Sequence, residues 1–414
     1  MAEPRGRWPL APWLKGYRPG DAAADGLAAL IVTLMLIPQS LAYALLAGVP
    51  AQMGLYASIL PLIGYALFGS SRTLAVGPVA VVSLMTAAAA GQVAGGDSGA
   101  YLAATVILAL LSGVFLVAMG LLRLGWIANL LSHSVISGFI TASGLLIAAS
   151  QLKHLLGIPM QGDTLWELGL SAFREAAGVN GVTLLVGAAA LLFLLWARGP
   201  LKRLLARTPL PPMLADLLAK AGPVLAVIGT TVAVAAGDLQ SQGVAVVGAI
   251  PGGLPALSLP AFDAGVWGQL ALPALLISLI GFVESVSVAQ TLAAKRRQRV
   301  DSNAELVGLG AANLASGVSG GFPVTGGFSR SVVNFDAGAR SPMAGVFTAG
   351  GIALTALFFT PWFYYLPKAT LAATIIVAVL TLVDLGALRR AWRYSKADFT
   401  AMLVTLAGVL LAGV

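Results

Sequence analysis

Cysteine is absent from this chain of 414 residues, and histidine occurs only as His133 and His154. The first absence removes disulfide frameworks and thiolate chemistry. The second leaves too few imidazoles for a histidine metal cluster. Charge is scarce too, at 10% of residues, where soluble domains carry about 25%. No short apolar stretch with a cleavage site follows the basic residues Arg5 and Arg7, and the first long apolar run, from Ala22, reads as a retained span. No nucleophile–base pair stands out, so neither an enzyme nor a bound cofactor is expected. What the chain has in excess is apolar surface: 58% hydrophobic residues and a mean hydropathy of +0.91. A soluble core of this size could not bury it, and the composition is that of a polytopic membrane protein.

The formal charge of +8 does not mark a nucleic-acid partner, because neither aromatic interleaving nor a soluble domain accompanies it. The basic residues instead alternate with apolar runs. Four clusters hold 17 of the 24: Arg5, Arg7, Lys15 and Arg18; Arg198, Lys202, Arg203, Arg207 and Lys220; Lys295, Arg296, Arg297 and Arg299; Arg389, Arg390, Arg393 and Lys396. Stretches 73–122 and 237–267 have none. By the positive-inside rule the clusters, and with them the N-terminus, face the cytoplasm of a cell (inner) membrane, in contact with anionic lipid.

A span needs about 20 apolar residues. Candidates are 22–47, 51–68, 99–122, 126–150, 179–197, 221–236, 265–292, 302–318, 342–360, 369–383 and 398–414. Stretches 361–383 and 383–396 could each hold one segment or two. Segments 77–91 and 320–336 are too short or too interrupted by glycine and proline to cross. About twelve to fourteen membrane segments result, giving an all-α architecture. Residues 163–177 read as an amphipathic connector at the outer interface. The abrupt apolar end at Val414 suggests a further C-terminal part.

Two stretches echo each other. Leu36–Tyr43 in the first span and Leu279–Val288 in a later one each set a helix-disturbing residue, then polar ones, deep in an apolar run. Each is followed some 40 residues on by a Gly/Pro break, Gly77–Pro78 and 322–328. Paired interrupted segments at corresponding places point to a transport site. The first span starts after a cytoplasmic cluster and the second ends at one, so the halves are inverted.

A helix beginning inside the bilayer leaves its first N–H groups unpaired. It also carries about half a positive charge at that end. An anion answers both needs. Pro78 suits a first helical turn, and Gly326 and Gly327 allow close backbone approach. Arg330, one turn into the second short helix, offers a fixed charge and planar donors; it could instead snorkel or pair with Glu284. Thr325 and Ser329 add hydroxyls, and Gln39 and Tyr43, four apart, share one helix face for pocket lining or for packing. Glu284 heads a polar stripe with Ser287 and Thr291 and either loads a proton or serves as a structural partner of Arg330.

These motifs resemble the sulfate permease (SulP) family of anion transporters, which includes prestin. The resembling runs are Ile37–Ala44 with Ala47-Gly48 and Gly54-Leu55-Tyr56, Ser71-Arg72 with Val76-Gly77-Pro78, Glu284–Ala289, and Gly320–Ser331. The resemblance covers nearly the whole chain. It implies fourteen segments in two inverted repeats of seven, the uracil-permease-like fold, with two half-helices meeting at the midplane. It further implies a core bundle (21–125 and 263–360) that carries substrate past a gate bundle (126–262 and 361–414), elevator fashion, after a cytoplasmic 1–20. Gln39, Tyr43, Val79, Thr325, Gly327, Phe328, Ser329 and Arg330 would bind substrate and Glu284 would couple a proton, or the partner ion would be sodium. The family usually adds a C-terminal STAS domain and forms homodimers; that domain is not in this sequence. Expected substrates are small anions: a dicarboxylate such as fumarate, sulfate, bicarbonate or chloride. A channel or voltage-driven motor, or a nucleobase permease of the same fold, is the alternative; the permease would want a carboxylate where Ser329 and Arg330 stand.

Overall fold

The computed structural model describes residues 10–129, 133–205, 208 and 221–413. Arg5, Arg7, Arg207 and Lys220 of the basic clusters, and Val414, lie outside them. In chain order α1 (Pro19–Leu46) is followed by the short α2 (Ala51–Tyr56) and α3 (Leu60–Phe68), strand β1 (Val76–Gly77), α4 (Ala80–Ala94), α5 (Ser98–Leu121), α6 (His133–Ser150), α7 (Leu152–Leu156), α8 (Leu165–Arg174), α9 (Gly181–Trp196) and α10 (Lys202–Leu205). Then come α11 (Gly222–Ala236), α12 (Ala264–Lys295), α13 (Ser302–Val318), β2 (Thr325–Gly326), α14 (Phe328–Asp336), α15 (Met343–Leu354), α16 (Lys368–Val379), α17 (Leu385–Tyr394) and α18 (Lys396–Ala412).

Several long helices start where a side chain satisfies the first turn. The carboxylates of Asp97, Asp263 and Asp301 accept backbone N–H groups at the heads of α5, α12 and α13, at 2.8 to 3.3 Å. Among the described residues, seven helical segments are long and apolar enough to cross a bilayer: 19–46, 51–68, 98–121, 134–156, 181–201, 264–295 and 343–363. Helices α4, α11 and α16, of 15, 15 and 12 residues, are apolar but short. At about 1.5 Å per residue they reach only some 18–23 Å. Stretch 361–383 therefore holds one short helix, preceded by a 3-10 turn over Thr360–Phe363. Stretch 383–396 holds the polar surface helix α17, with Trp392 and Tyr394 exposed.

The connector expected at 163–177 is α8, bearing exposed Trp166 and Phe173. A reciprocal cap holds its start: the Glu167 N–H donates to the Thr164 hydroxyl and the Thr164 N–H to the Glu167 carboxylate, each at 3.2 Å. Helices α5 and α13 pack backbone to backbone through small residues. A Cβ added to Gly310 would stand 2.6 Å from Val117, and one added to Gly113 2.7 Å from Leu314.

The all-α expectation meets one exception, and it positions the site. Strands β1 and β2, two residues each, pair antiparallel, Val76 opposite Gly326 and Gly77 opposite Thr325. Each strand feeds a short helix, so α4 and α14 leave this crossing in opposite directions.

Candidate functional site

The crossing is made of irregular backbone deep in the protein, where unpaired amides are costly. Side chains of neighbouring helices accept and donate in their place. The Gly326 N–H donates to the Ser285 hydroxyl (2.8 Å), and the Gly327 N–H donates to the Ala75 carbonyl (3.1 Å). The Ala75 N–H donates to Ser331 (2.9 Å). Asn313 on α13 holds Val324 from both sides, accepting its N–H at 3.0 Å and donating to its carbonyl at 2.8 Å. Asn313 carries no signal in sequence beyond its polarity, and Ser331 only its place at the end of the run 320–331; the crossing gives both this task.

Thr325 belongs to this scaffold. Its hydroxyl lies 2.6 Å from that of Ser285 and donates to the Gly281 carbonyl at 2.7 Å, and it does not line the adjoining cavity. The other expected site residues do converge. Gln39, Tyr43, Val79, Glu284, Gly327, Phe328, Ser329 and Arg330 line one inner chamber of about 40 Å3, with Ala378 and Thr381 opposite. Val79 caps α4 and Gly327 caps α14, so the first-turn N–H groups of both short helices border the chamber.

Arg330 is 2% exposed. Its Nη1 donates to the Pro78 carbonyl at 2.6 Å, tying the head of α14 to the break before α4. The guanidinium occupies space that only glycine leaves free: a Cβ on Gly327 would stand 2.8 Å from Nη2, and one on Gly77 3.3 Å. No Arg330–Glu284 ion pair exists; those among the described residues are Arg340–Asp21 and Arg390–Asp384. The pairing weighed from sequence is replaced by a bond to a carbonyl. Glu284 Oε2, Gln39 Oε1, Arg330 Nε and Arg330 Nη2 are buried and have no hydrogen-bond partner within the protein. Four such groups in and around one chamber are a concentration of unmet polarity that a folded core does not tolerate without a purpose. Of the stripe continuing from Glu284, Ser287 and Thr291 are exposed, and Thr291 donates to the Ser287 carbonyl.

The inner chamber adjoins a vestibule of about 400 Å3, sharing Gln39, Phe328 and Ser329 with it. Arg198 lines this vestibule; sequence had assigned it to a surface cluster. Two further carboxylates, Asp25 and Glu305, are fully buried and escaped the sequence reading, because each lies near the start of its helix, where an acid reads as an ordinary dipole partner. Glu305 accepts from the Tyr65 hydroxyl, the Ser70 N–H and hydroxyl, and the Ser71 N–H, all within 2.9 Å. Asp25 accepts from the Arg340 and Ser341 N–H groups and the Ser341 hydroxyl. Glu305 fastens the loop that leads into β1 and Asp25 the loop between α14 and α15; neither carboxylate lines the chamber.

Comparison with known proteins matches the geometry. The model of the sulfate permease family fits residues 23–405. The chloroplastic sulfate transporter 4.1 of Arabidopsis thaliana is 38% identical over 419 residues, 98% of this chain and 58% of that protein. The chain thus spans under three-fifths of that relative's length. The murine SLC26A9 anion transporter, solved in an inward-facing state, superposes with a TM-score of 0.86 at 26% identity, over 96% of this chain and 67% of that one. The transmembrane domain of the cyanobacterial bicarbonate transporter BicA shares the fold, with a TM-score of 0.81 at 22% identity over 96% and 98% of the two chains. This is a multi-pass membrane protein with that transmembrane fold, and it belongs to the sulfate permease family.

Proposed function

We propose that this protein moves small oxyanions across the membrane by alternating access, binding them at the chamber between the heads of α4 and α14. The observation that carries the reading is the convergence there of two helix N-termini, the Arg330 guanidinium and four unpartnered buried polar atoms. Each helix end supplies about half a positive charge and free N–H donors. Gln39, Tyr43 and Ser329 complete a polar lining, with Phe328 as an apolar wall. Sulfate heads the substrate list because a relative 38% identical is named for it; dicarboxylates such as fumarate carry the same double negative charge, and bicarbonate presents the same kind of oxygen acceptors with a single charge.

Glu284 faces the same chamber without an ion-pair partner, which supports a proton-loading role: a proton on its carboxyl would offset the charge of the anion as both cross. The antiparallel crossing supports two inverted repeats of seven segments. The bundle holding the chamber (21–125 and 263–360) would then move against the other (126–262 and 361–414). The basic clusters support a cytoplasmic N-terminus.

Uptake of labelled sulfate, fumarate and bicarbonate into proteoliposomes, with and without an inward proton gradient, tests this. Accumulation of at least one oxyanion driven by the gradient is expected. Absence of flux for all three refutes the transport reading, and conductance far above carrier turnover would identify a channel.

A further inference from the structure

The vestibule has a cation of its own, and the fold turns it inward against the expectation from sequence. Arg198 stands five residues before Arg203, which is exposed. Helix α9, however, ends at Trp196 in a π turn over Ala197–Leu201 with Pro200 inside it. Proline lacks the N–H needed to continue the α pattern. Arg198 is the second residue of that turn and lines the vestibule, where it shares a wall with Gln39, Phe328 and Ser329. Those three also line the inner chamber, which Arg330 borders and Arg198 does not. Two guanidiniums thus line adjoining cavities, Arg198 the wide one and Arg330 the narrow one.

The two stand on helices with different neighbours, which meet through α1, packed against α11 and α16 as well as α14. Arg330 rides on α14, which packs with α1 and α12; α9 packs with α7, α11 and α16. The vestibule is walled by the C-terminal ends of α9 and α16 and the N-terminal end of α11. At about 400 Å3 it falls within the range of small-ligand sites, and it is ten times the size of the inner chamber. A hydrated anion fits the former, and it must shed water to enter the latter.

We infer that Arg198 forms a second anion subsite in series with the inner one, an entry subsite for small oxyanions and dicarboxylates. This rests on the transport reading above. Arg198 meets the anion first, while water still surrounds it, and the anion passes along Ser329 and Gln39 to Arg330. Because Arg198 follows α9, which lends no residue to the inner chamber, it touches the anion only when the path is open on the face that bears Arg203. Its contribution is therefore one-sided, whereas that of Arg330 travels with the site.

The test uses the full chain in proteoliposomes of known orientation, measuring sulfate KM from each face. Arg198→Gln should raise KM about five- to tenfold on the Arg203-bearing face, the scale of one partly solvated charge contact, and leave the opposite face within twofold. Arg198→Lys should recover most of the loss, since charge is retained while planar two-point contact is not. Arg203→Gln, which lies outside the vestibule, should change neither face. Equal weakening on both faces, or no change on either, overturns the entry subsite. If Arg198→Gln does not fold, Arg198→Lys decides alone: about a twofold rise confined to one face supports the subsite, and an unchanged or two-sided KM rejects it. Wild-type protein that carries no anion from either face refutes the transport reading itself, a different outcome from wild-type flux that is indifferent to Arg198.

Discussion

Replacing Arg330 by alanine separates a role in selecting anions from a role in holding the fold. The two helix ends contribute about half a charge each, so the guanidinium supplies about half of the positive charge around the chamber. At an effective dielectric of about 20, a unit charge about 6 Å from the anion is worth roughly 2.8 kcal/mol per anion charge. Water entering the space left by the side chain returns about half of that. The remainder, about 1.4 kcal/mol per anion charge, is a factor of about ten. KM for chloride should therefore rise about tenfold and KM for sulfate about a hundredfold. The structural cost is the bond from Nη1 to the Pro78 carbonyl, about 1.5–3 kcal/mol for a charged hydrogen bond. Removing a buried charge offsets part of it, so the melting temperature should fall by no more than about 5 °C. Arg330→Lys should restore part of the sulfate affinity. Thermal stability and the two KM values are measured on the same purified variant. Equal losses for both anions, with a much lower melting temperature, would show that Arg330 is a strut of the crossing and not a selector.

Four further outcomes follow from particular contacts. Glu284→Gln should abolish accumulation driven by a pH gradient while preserving exchange of anion for anion; intact accumulation would leave the carboxyl with a packing role. Gly327→Ala places a methyl 2.8 Å from Arg330 Nη2, the movable end of a long side chain. The protein should fold with sulfate affinity lowered about tenfold by displacement of the guanidinium, and unchanged sulfate binding would mean the guanidinium has room elsewhere. Glu305→Ala leaves Tyr65, Ser70 and Ser71 donors without their acceptor and should cost roughly 3 kcal/mol or more, read as a lower melting temperature; an unmoved transition would refute the anchoring role. The Glu167 carboxyl is held below its ordinary value of 4.5, chiefly by the Asp163 N–H and next by that of Thr164. Its stabilisation of α8 is present above that value and is lost as pH falls through the depressed one, so amide exchange in 165–174 should accelerate in acid, where a pH-independent rate would contradict the cap.

Composition and charge placement were enough to read a multi-pass membrane protein, because a long apolar run has no other stable environment and Lys and Arg cannot lie in hydrocarbon at low cost. The paired Gly/Pro breaks, Glu284 and Arg330 were legible for the same reason: each violates the local rule for a membrane helix, and such violations stand out in a monotonous apolar chain. Periodicity and hydropathy describe one segment at a time, however. They could not tell that Thr325 turns toward Gly281 and Ser285, that Arg330 spans to the Pro78 carbonyl 252 positions away instead of pairing with Glu284, or that Asp25 and Glu305 are buried. A hydrogen bond between distant segments leaves no mark in either sequence, and its partner is chosen only when the helices pack. Arg198 is the clearest case. Its charge and its neighbours are written in the chain, but the packing of α9 against α11 and α16 decided that this charge lines the path.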